Sequence, residues 1–388
     1  MKRALGTFGL LYAVACTSGE GRPDPKNLVG TSRPGSDPDA SLIDPPPVEC
    51  GGDYCGDTFL HERQNPPNLY FLIDRSGSMQ EVPDGSHYDK YHMARNVITD
   101  VLSAIGHRVR YGIAIYPESS EDDVCSTSHE VLEPTLGAPP SCTGQIDPEL
   151  SHRLTVLGNY TPKGNTPTSA ALSALVPELT ELAGKTYLVL LTDGAPNCNL
   201  DAVCEADECG LNIAAQSIGS TRCSGSVNCC DPLLFGDGVQ GNCVDSAETV
   251  RQLERLAEHG IPTYVIGLPG TELFADVLNR MAEAGGAARE GEASAYYDVG
   301  DQDELETALY SIGSGLAIRC SIELEEAPLD PDKVNVYFDG KIVEADPDNG
   351  WSWDGDTRIQ VNGDACDALR SGAVLDARAD YGCDTLVR

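Results

Sequence analysis

Asp74, Ser76 and Ser78, in the run DRSGSM, carry oxygen at alternate positions of an acidic chain. In extended backbone every second side chain points to the same side, so these three oxygens can converge on one spot. Two further oxygen-bearing residues stand at matching kinds of place: Thr166, in GNTPTS, precedes a helical segment, and Asp193, in LLTDG, follows an apolar run. Carboxylates and hydroxyls are hard ligands. Five of them from three separate segments describe a site for Mg²⁺, with Mn²⁺ or Ca²⁺ as alternatives, and not for a soft metal. Two other roles stay open at this point: Thr166 as a helix cap before Pro167, and Asp193-Gly194 as a simple turn.

The elements that must position these residues are legible from residue 68 to 318. NLYFLID, VRYGIAIYP, TYLVLLTD, PTYVIGL and AYYDVG are short and nearly continuous in Val, Ile, Leu and Tyr, as strands buried on both faces of a parallel sheet should be. Amphipathic segments alternate with them, starting at His92, Thr168, Ser246 and Leu273, and a last one follows Asp301, where Asp301 and Glu304 have capping-box spacing. Strand and helix in alternation imply right-handed crossovers and an α/β, doubly wound, mostly parallel, Rossmann-like sheet flanked by helices. Such sheets bind ligands at the carboxyl ends of their strands, where Asp74 and Asp193 fall.

With DxSxS, then Thr, then Asp in this order, residues 68–318 resemble the von Willebrand factor A-type (VWA) domain and its metal-ion-dependent adhesion site. The resemblance implies that Ser76, Ser78 and Thr166 touch the metal through hydroxyls. Asp74 and Asp193 would act largely through bound water, leaving one coordination position for a carboxylate of the ligand. The size of the cysteine-rich insert after Asp193 departs from the family pattern and raises the expectation that it reshapes or roofs the site.

Lys and Arg total 26 against 61 Asp and Glu, a net charge of −35. With no basic cluster, nucleic acid is not an expected partner. Fifteen cysteines point to an oxidising compartment. Lys2 and Arg3, an apolar stretch from Ala4 to Ala15, and Cys16 form a signal-peptide pattern (1–16), too short to span a ~30 Å hydrocarbon core. AVAC resembles the bacterial lipobox, in which the cysteine, here Cys16, is lipidated. The lipid anchor would be the only membrane contact, at the outer membrane or cell surface. Residues 17–67, rich in Pro, Gly, Ser and Asp, read as a tether, with Cys50 and Cys55 closing a small loop near its end.

Two inserts interrupt the strand–helix rhythm, at about 118–150 with Cys125 and Cys142, and at about 197–245 with seven cysteines. An odd number implies that one cysteine reaches outside the second insert. Residues 319–388 read as a small, disulfide-stapled β module, with a hairpin at Asp339-Gly340. Its three cysteines suggest a bridge to the main domain.

GDGVQG matches GxGxxG, but no strand enters it and no helix leaves it, so it is not read as a dinucleotide site. The insert cysteines lack a CxxC pair, and disulfides are expected there in place of zinc. The aspartates around Trp351 and Trp353 lack EF-hand register. No motif set supplies a nucleophile, a base and an orienting group, so the chain is expected not to be an enzyme. The sequence therefore predicts an exported, lipid-anchored envelope protein whose VWA domain binds a protein partner through a divalent cation and an Asp or Glu of that partner. A structural, disulfide-rich envelope component with an internal or vestigial metal site is the alternative.

Overall fold

The computed structural model describes residues 58–60, 66–118, 125–137, 148–317, 320–370, 374 and 377–387. Cys16, the Cys50–Cys55 loop, Cys142 and nearly all of the expected tether lie outside these residues.

Six strands form the central sheet, in the spatial order His129–Leu136, Arg110–Tyr116, Asn68–Asp74, Thr186–Thr192, Thr263–Gly267 and Tyr297–Asp298. All neighbours run parallel except His129–Leu136, which pairs antiparallel with Arg110–Tyr116. Alternation along the first central strand divides the core. Leu69, Phe71 and Ile73 pack against the Lys90–Ile105 and Gln302–Ala317 helices, while Tyr70 and Leu72 face the Thr168–Glu181, Ser246–Glu258 and Ala275–Ala284 helices. Both faces are covered, which is why these strands carry apolar residues at nearly every position. The doubly wound, mostly parallel sheet expected from the sequence is the observed one.

Strand order fixes where a ligand site can form. From Asn68–Asp74 the chain moves outward through Arg110–Tyr116, then returns to the opposite side with Thr186–Thr192. The reversal leaves a crevice at the carboxyl ends of the 68–74 and 186–192 strands, the topological switch point of such folds.

Helix starts follow capping chemistry. The 90–105 helix begins two residues before the expected His92, because Asp89 is the N-cap and accepts the His92 amide at 2.8 Å. Asp301 accepts the Glu304 amide at 2.9 Å, while Glu304 reaches back to the Gly300 amide at 2.7 Å.

Several expectations need correction. The first insert is not wholly irregular: it supplies the antiparallel edge strand and the Pro148–Thr155 helix. Pro134 and a half-exposed pattern hide that strand, and an edge tolerates the proline. Residues 58–60, assigned above to the tether, form a strand paired with Ala377–Tyr381. The C-terminal module is not purely β, since Gly363–Arg370 is a helix. It packs with two small sheets, one ordered 58–60, 377–381, 334–338, 341–343 and the other 321–323, 358–361, 351–353. The Asp339-Gly340 hairpin is present, with φ of 46° and 76° at its two turn residues.

Disulfides join Cys204 to Cys243, Cys209 to Cys230 and Cys223 to Cys229 within the second insert. The seventh cysteine does reach outside: Cys198 bonds Cys125 of the first insert. Cys320 bonds Cys366 inside the C-terminal module, so the expected bridge to the main domain is not found among the described pairs; Cys383 is disulfide-bonded as well. The cluster of Cys204, Cys230 and Cys243 is made of disulfide sulfurs, which are not available as thiolate ligands.

Close packing of the sheet makes a test. A Cβ at Gly112, in the 110–116 strand, would lie 2.6 Å and 2.7 Å from the Tyr70 ring and 2.9 Å from Pro134. Gly112→Ala should therefore lower stability by about 1–3 kcal/mol through overpacking, read as an earlier urea midpoint. An unchanged midpoint would mean that the edge strand yields freely.

Candidate metal centre

Asp74 ends the first central strand with no exposed surface. Its Oδ1 accepts the Ser76 amide at 2.7 Å and its Oδ2 the Thr192 hydroxyl at 2.7 Å. The chain does not remain extended, as the alternation argument assumed. Gly77–Gln80 is a 3-10 turn, and the turn itself brings the two serine hydroxyls to 3.1 Å. Ser76 is buried and Ser78 exposed, so the cluster opens to solvent on the Ser78 side.

Asp193 follows the 186–192 strand and is 4% exposed. Its Oδ1 accepts the Ser78 hydroxyl at 2.8 Å, and its Oδ2 accepts Lys90 Nζ at 2.9 Å. Four of the five sequence-predicted residues thus form a connected chain across the switch point: Asp74, Ser76, Ser78, Asp193. Thr166 reaches the same rim through backbone. The Gly77 amide donates to the Gly164 carbonyl at 2.9 Å, linking its loop to the DxSxS turn. Thr166 is buried, and the N-cap of the following helix is Pro167, with no side-chain cap bond. The capping role left open for Thr166 is therefore not the one it plays.

The second insert buttresses this loop from its base. Asn197 accepts the Thr166 amide at 2.8 Å and returns its own amide to the Thr166 carbonyl at 2.8 Å. The next residue, Cys198, is bonded to Cys125. Asp245, at the other end of the insert, accepts Asn199 Nδ2 at 2.9 Å and the Ser169 hydroxyl.

Three residues of the site escaped sequence reasoning. Arg75, inside the motif, is 6% exposed and donates to the carbonyls of Pro117, Glu118 and Thr161 at 2.6 Å, 2.8 Å and 2.8 Å. It ties the loops after the 110–116 strand and before Thr166 to the DxSxS turn. Carbonyl partners leave no trace in sequence. Lys90 pairs with Asp193 and with Glu81; its one sequence signal is a basic residue directly after an N-cap Asp, where the helix dipole disfavours it. Asn197 carried none.

Electrostatics set what this cluster can hold. Burial, and next the charge of Asp193, push the Asp74 carboxyl up from 3.8 to about 7, against the lowering effect of its Thr192 and Ser76 hydrogen bonds. Tyr116, beneath Asp74, is held well above the usual phenol range by burial and by that same carboxylate. Two carboxylates facing one another with little water are a demand for positive charge. The five candidate ligands offer oxygen alone, Lys90 being an ammonium engaged with Asp193 and Glu81, which fits a hard divalent cation. Asp74, Ser76, Ser78, Thr166 and Asp193 are the residues that would hold it.

No protein-family model matches the sequence, and no curated protein matches it. Among solved structures, the chain is similar to the PilB minor pilin of Streptococcus sanguinis, with 15% identity over 66% of this chain and 62% of the pilin, at a TM-score of 0.42. It is also similar to the SpaC pilus adhesin of Lactobacillus rhamnosus GG, with 14% identity over 83% of this chain and 39% of the adhesin, at 0.45. A third is proximal thread matrix protein 1 of the mussel byssus, in a form with a zinc-occupied MIDAS motif, at 11% identity over 64% and 45%, and 0.37. The chain spans less than two thirds of each of these proteins. Strand order and register, described above, define the fold class.

The raised Asp74 carboxyl has a pH consequence. The contribution of its protonated form to stability is complete below about pH 4, and it is lost as pH rises through the folded value of about 7. A divalent cation must displace that proton at low pH. The rise in thermal midpoint on adding Mg²⁺ should therefore be larger at pH 8 than at pH 6, and an equal or reversed rise would remove Asp74 from the metal site.

Proposed function

We propose that this chain is an exported binding protein, anchored by lipid at Cys16. Its VWA-type domain uses Asp74, Ser76, Ser78, Thr166 and Asp193 to hold one divalent cation, Mg²⁺ foremost, and so to grip an Asp or Glu of a protein partner. One observation carries this reading: two buried carboxylates from different strands are drawn to one switch-point crevice and bridged there by Ser76 and Ser78. Lys90 answers Asp193, but Asp74 is met in its hydrogen bonds by an amide and a hydroxyl, and its burial beside Asp193 is opposed by desolvation and repulsion.

Three hydroxyls and two carboxylates leave one position of an about six-coordinate hard cation open, and with Lys90 on Asp193 the loaded site keeps a positive charge for an outside carboxylate to meet. The protein's own residues arrange the rest. Asp74 orients the Ser76 turn, Arg75 gathers the neighbouring loops, Asn197 fixes Thr166, and Ser78 stands at the solvent side where a partner approaches. With a net charge of −35, the chain repels acidic partners at range, so recognition is a close-contact grip, not long-range steering. The convergent groups are ligands and not a nucleophile with its base, so binding and not catalysis is the proposed role. The disulfides support an exported location, since such bonds persist in oxidising compartments.

Capture of partners from membrane extracts tests the reading, with and without EDTA and with Asp74→Ala. Partners should be retained only by the unsubstituted protein in the presence of metal; the same proteins held in every arm would end the adhesion reading. In parallel, Mg²⁺ at 100 times its Kd should stabilise the intact protein by about 2.7 kcal/mol, a rise of several degrees in thermal midpoint that Asp74→Ala abolishes.

A further inference from the structure

Lys90 is misplaced by every local rule. It occupies the first position of the 90–105 helix, directly after the N-cap Asp89, where a cation opposes the positive end of the helix dipole. It is also 3% exposed, and lysine is almost never fully buried unless paired. Its partners explain the placement. Nζ lies 2.9 Å from Asp193 Oδ2 and 2.8 Å from Glu81 Oε2. The Lys90 amide also donates to the Glu81 carbonyl at 3.1 Å, and the Glu81 amide to Ser78 at 2.9 Å, so the lysine is fastened to the DxSxS turn by backbone as well. A Cβ at Gly270 would come within 3.1 Å of Nζ, so the loop after the 263–267 strand closes over the ammonium.

The two partners differ in kind. The Asp193 side chain is fully buried and shared with Ser78, a proposed metal ligand, whereas the Glu81 side chain is 70% exposed. A cation entering the cluster therefore meets a carboxylate whose second oxygen already accepts from an ammonium.

We propose that Lys90 is a resident counter-cation of the metal centre: its ammonium holds Asp193 in place and competes with the divalent ion for that carboxylate's charge, with Glu81 as the alternative acceptor. This rests on the metal reading above and adds a regulator of its affinity. The rim stays assembled without metal because Lys90 neutralises one of the two carboxylates. The same charge makes the metal bind more weakly than the ligand set alone would allow.

Mn²⁺ titration of the full chain, followed by the electron paramagnetic resonance signal of the free ion, tests the proposal alongside metal-free thermal midpoints. Lys90→Met should tighten Mn²⁺ binding by about tenfold or more, since a buried positive charge near the ion is removed, and it should lower the metal-free midpoint. Glu81→Gln acts in the opposite sense. It should weaken Mn²⁺ binding by only about two- to threefold, because Glu81 is exposed and screened. Were Lys90 merely structural, Lys90→Met would loosen the site, so unchanged or weaker Mn²⁺ binding by that folded variant overturns the proposal. If Lys90→Met does not fold even with Mn²⁺, Glu81→Gln decides, and unchanged or tighter binding by it overturns the proposal. Failure of the underlying metal reading is distinct: the unsubstituted protein would then show no Mn²⁺ binding that Asp74→Ala removes.

Discussion

Two carboxylates facing each other out of water are the constraint around which this domain is built. Asp74 and Asp193 stand at the ends of adjacent parallel strands whose register is fixed over six residue pairs, Asn68 with Thr186 through Ile73 with Leu191. The buried sheet therefore fixes Asp74 and holds Asp193 one residue past its paired edge. The repulsion is answered locally: hydroxyls of Ser78 and Thr192, the Ser76 amide and the Lys90 ammonium each supply positive potential to one of the four carboxylate oxygens. What remains is a compact set of hard donors at a crevice that the winding of the sheet opens anyway.

Around this pair the protein spends unusual side chains on position. Arg75 is buried and donates to three carbonyl oxygens from two loops, so a cationic side chain acts as a peg that gathers backbone from both. Tyr116, Thr168 and Thr192 form a polar floor beneath Asp74. A floor of this kind is tolerable in a core only when its groups are mutually bonded.

Much of the scaffold was legible beforehand because its physics is local. Strands buried on both faces must be apolar throughout, and helices between them must be amphipathic, so 68–74, 110–116, 186–192 and 263–267 emerged within a residue or two. The motif residues emerged because their oxygens fall at element ends. What stayed hidden depends on tertiary context. The edge strand at 129–136 carries Pro134 and a half-wet pattern, the short helix at 363–370 has one turn of apolar signal, and residues 58–60 take strand form only because Ala377–Tyr381 is there to pair with. Lys90 and Asn197 act through partners 103 and 31 residues away, distances across which composition says nothing.

The link between Cys125 and Cys198 joins two excursions of the chain 73 residues apart, and Cys198 directly follows the residue that grips Thr166. In the reduced chain, that grip would rest on two hydrogen bonds from a segment just past the 186–192 strand, with the closure of the loop between the two excursions unsecured by any covalent tie. Oxidation of the chain thereby adds a covalent abutment to a segment that otherwise leans on hydrogen bonds at Gly164, Thr166 and Ser169.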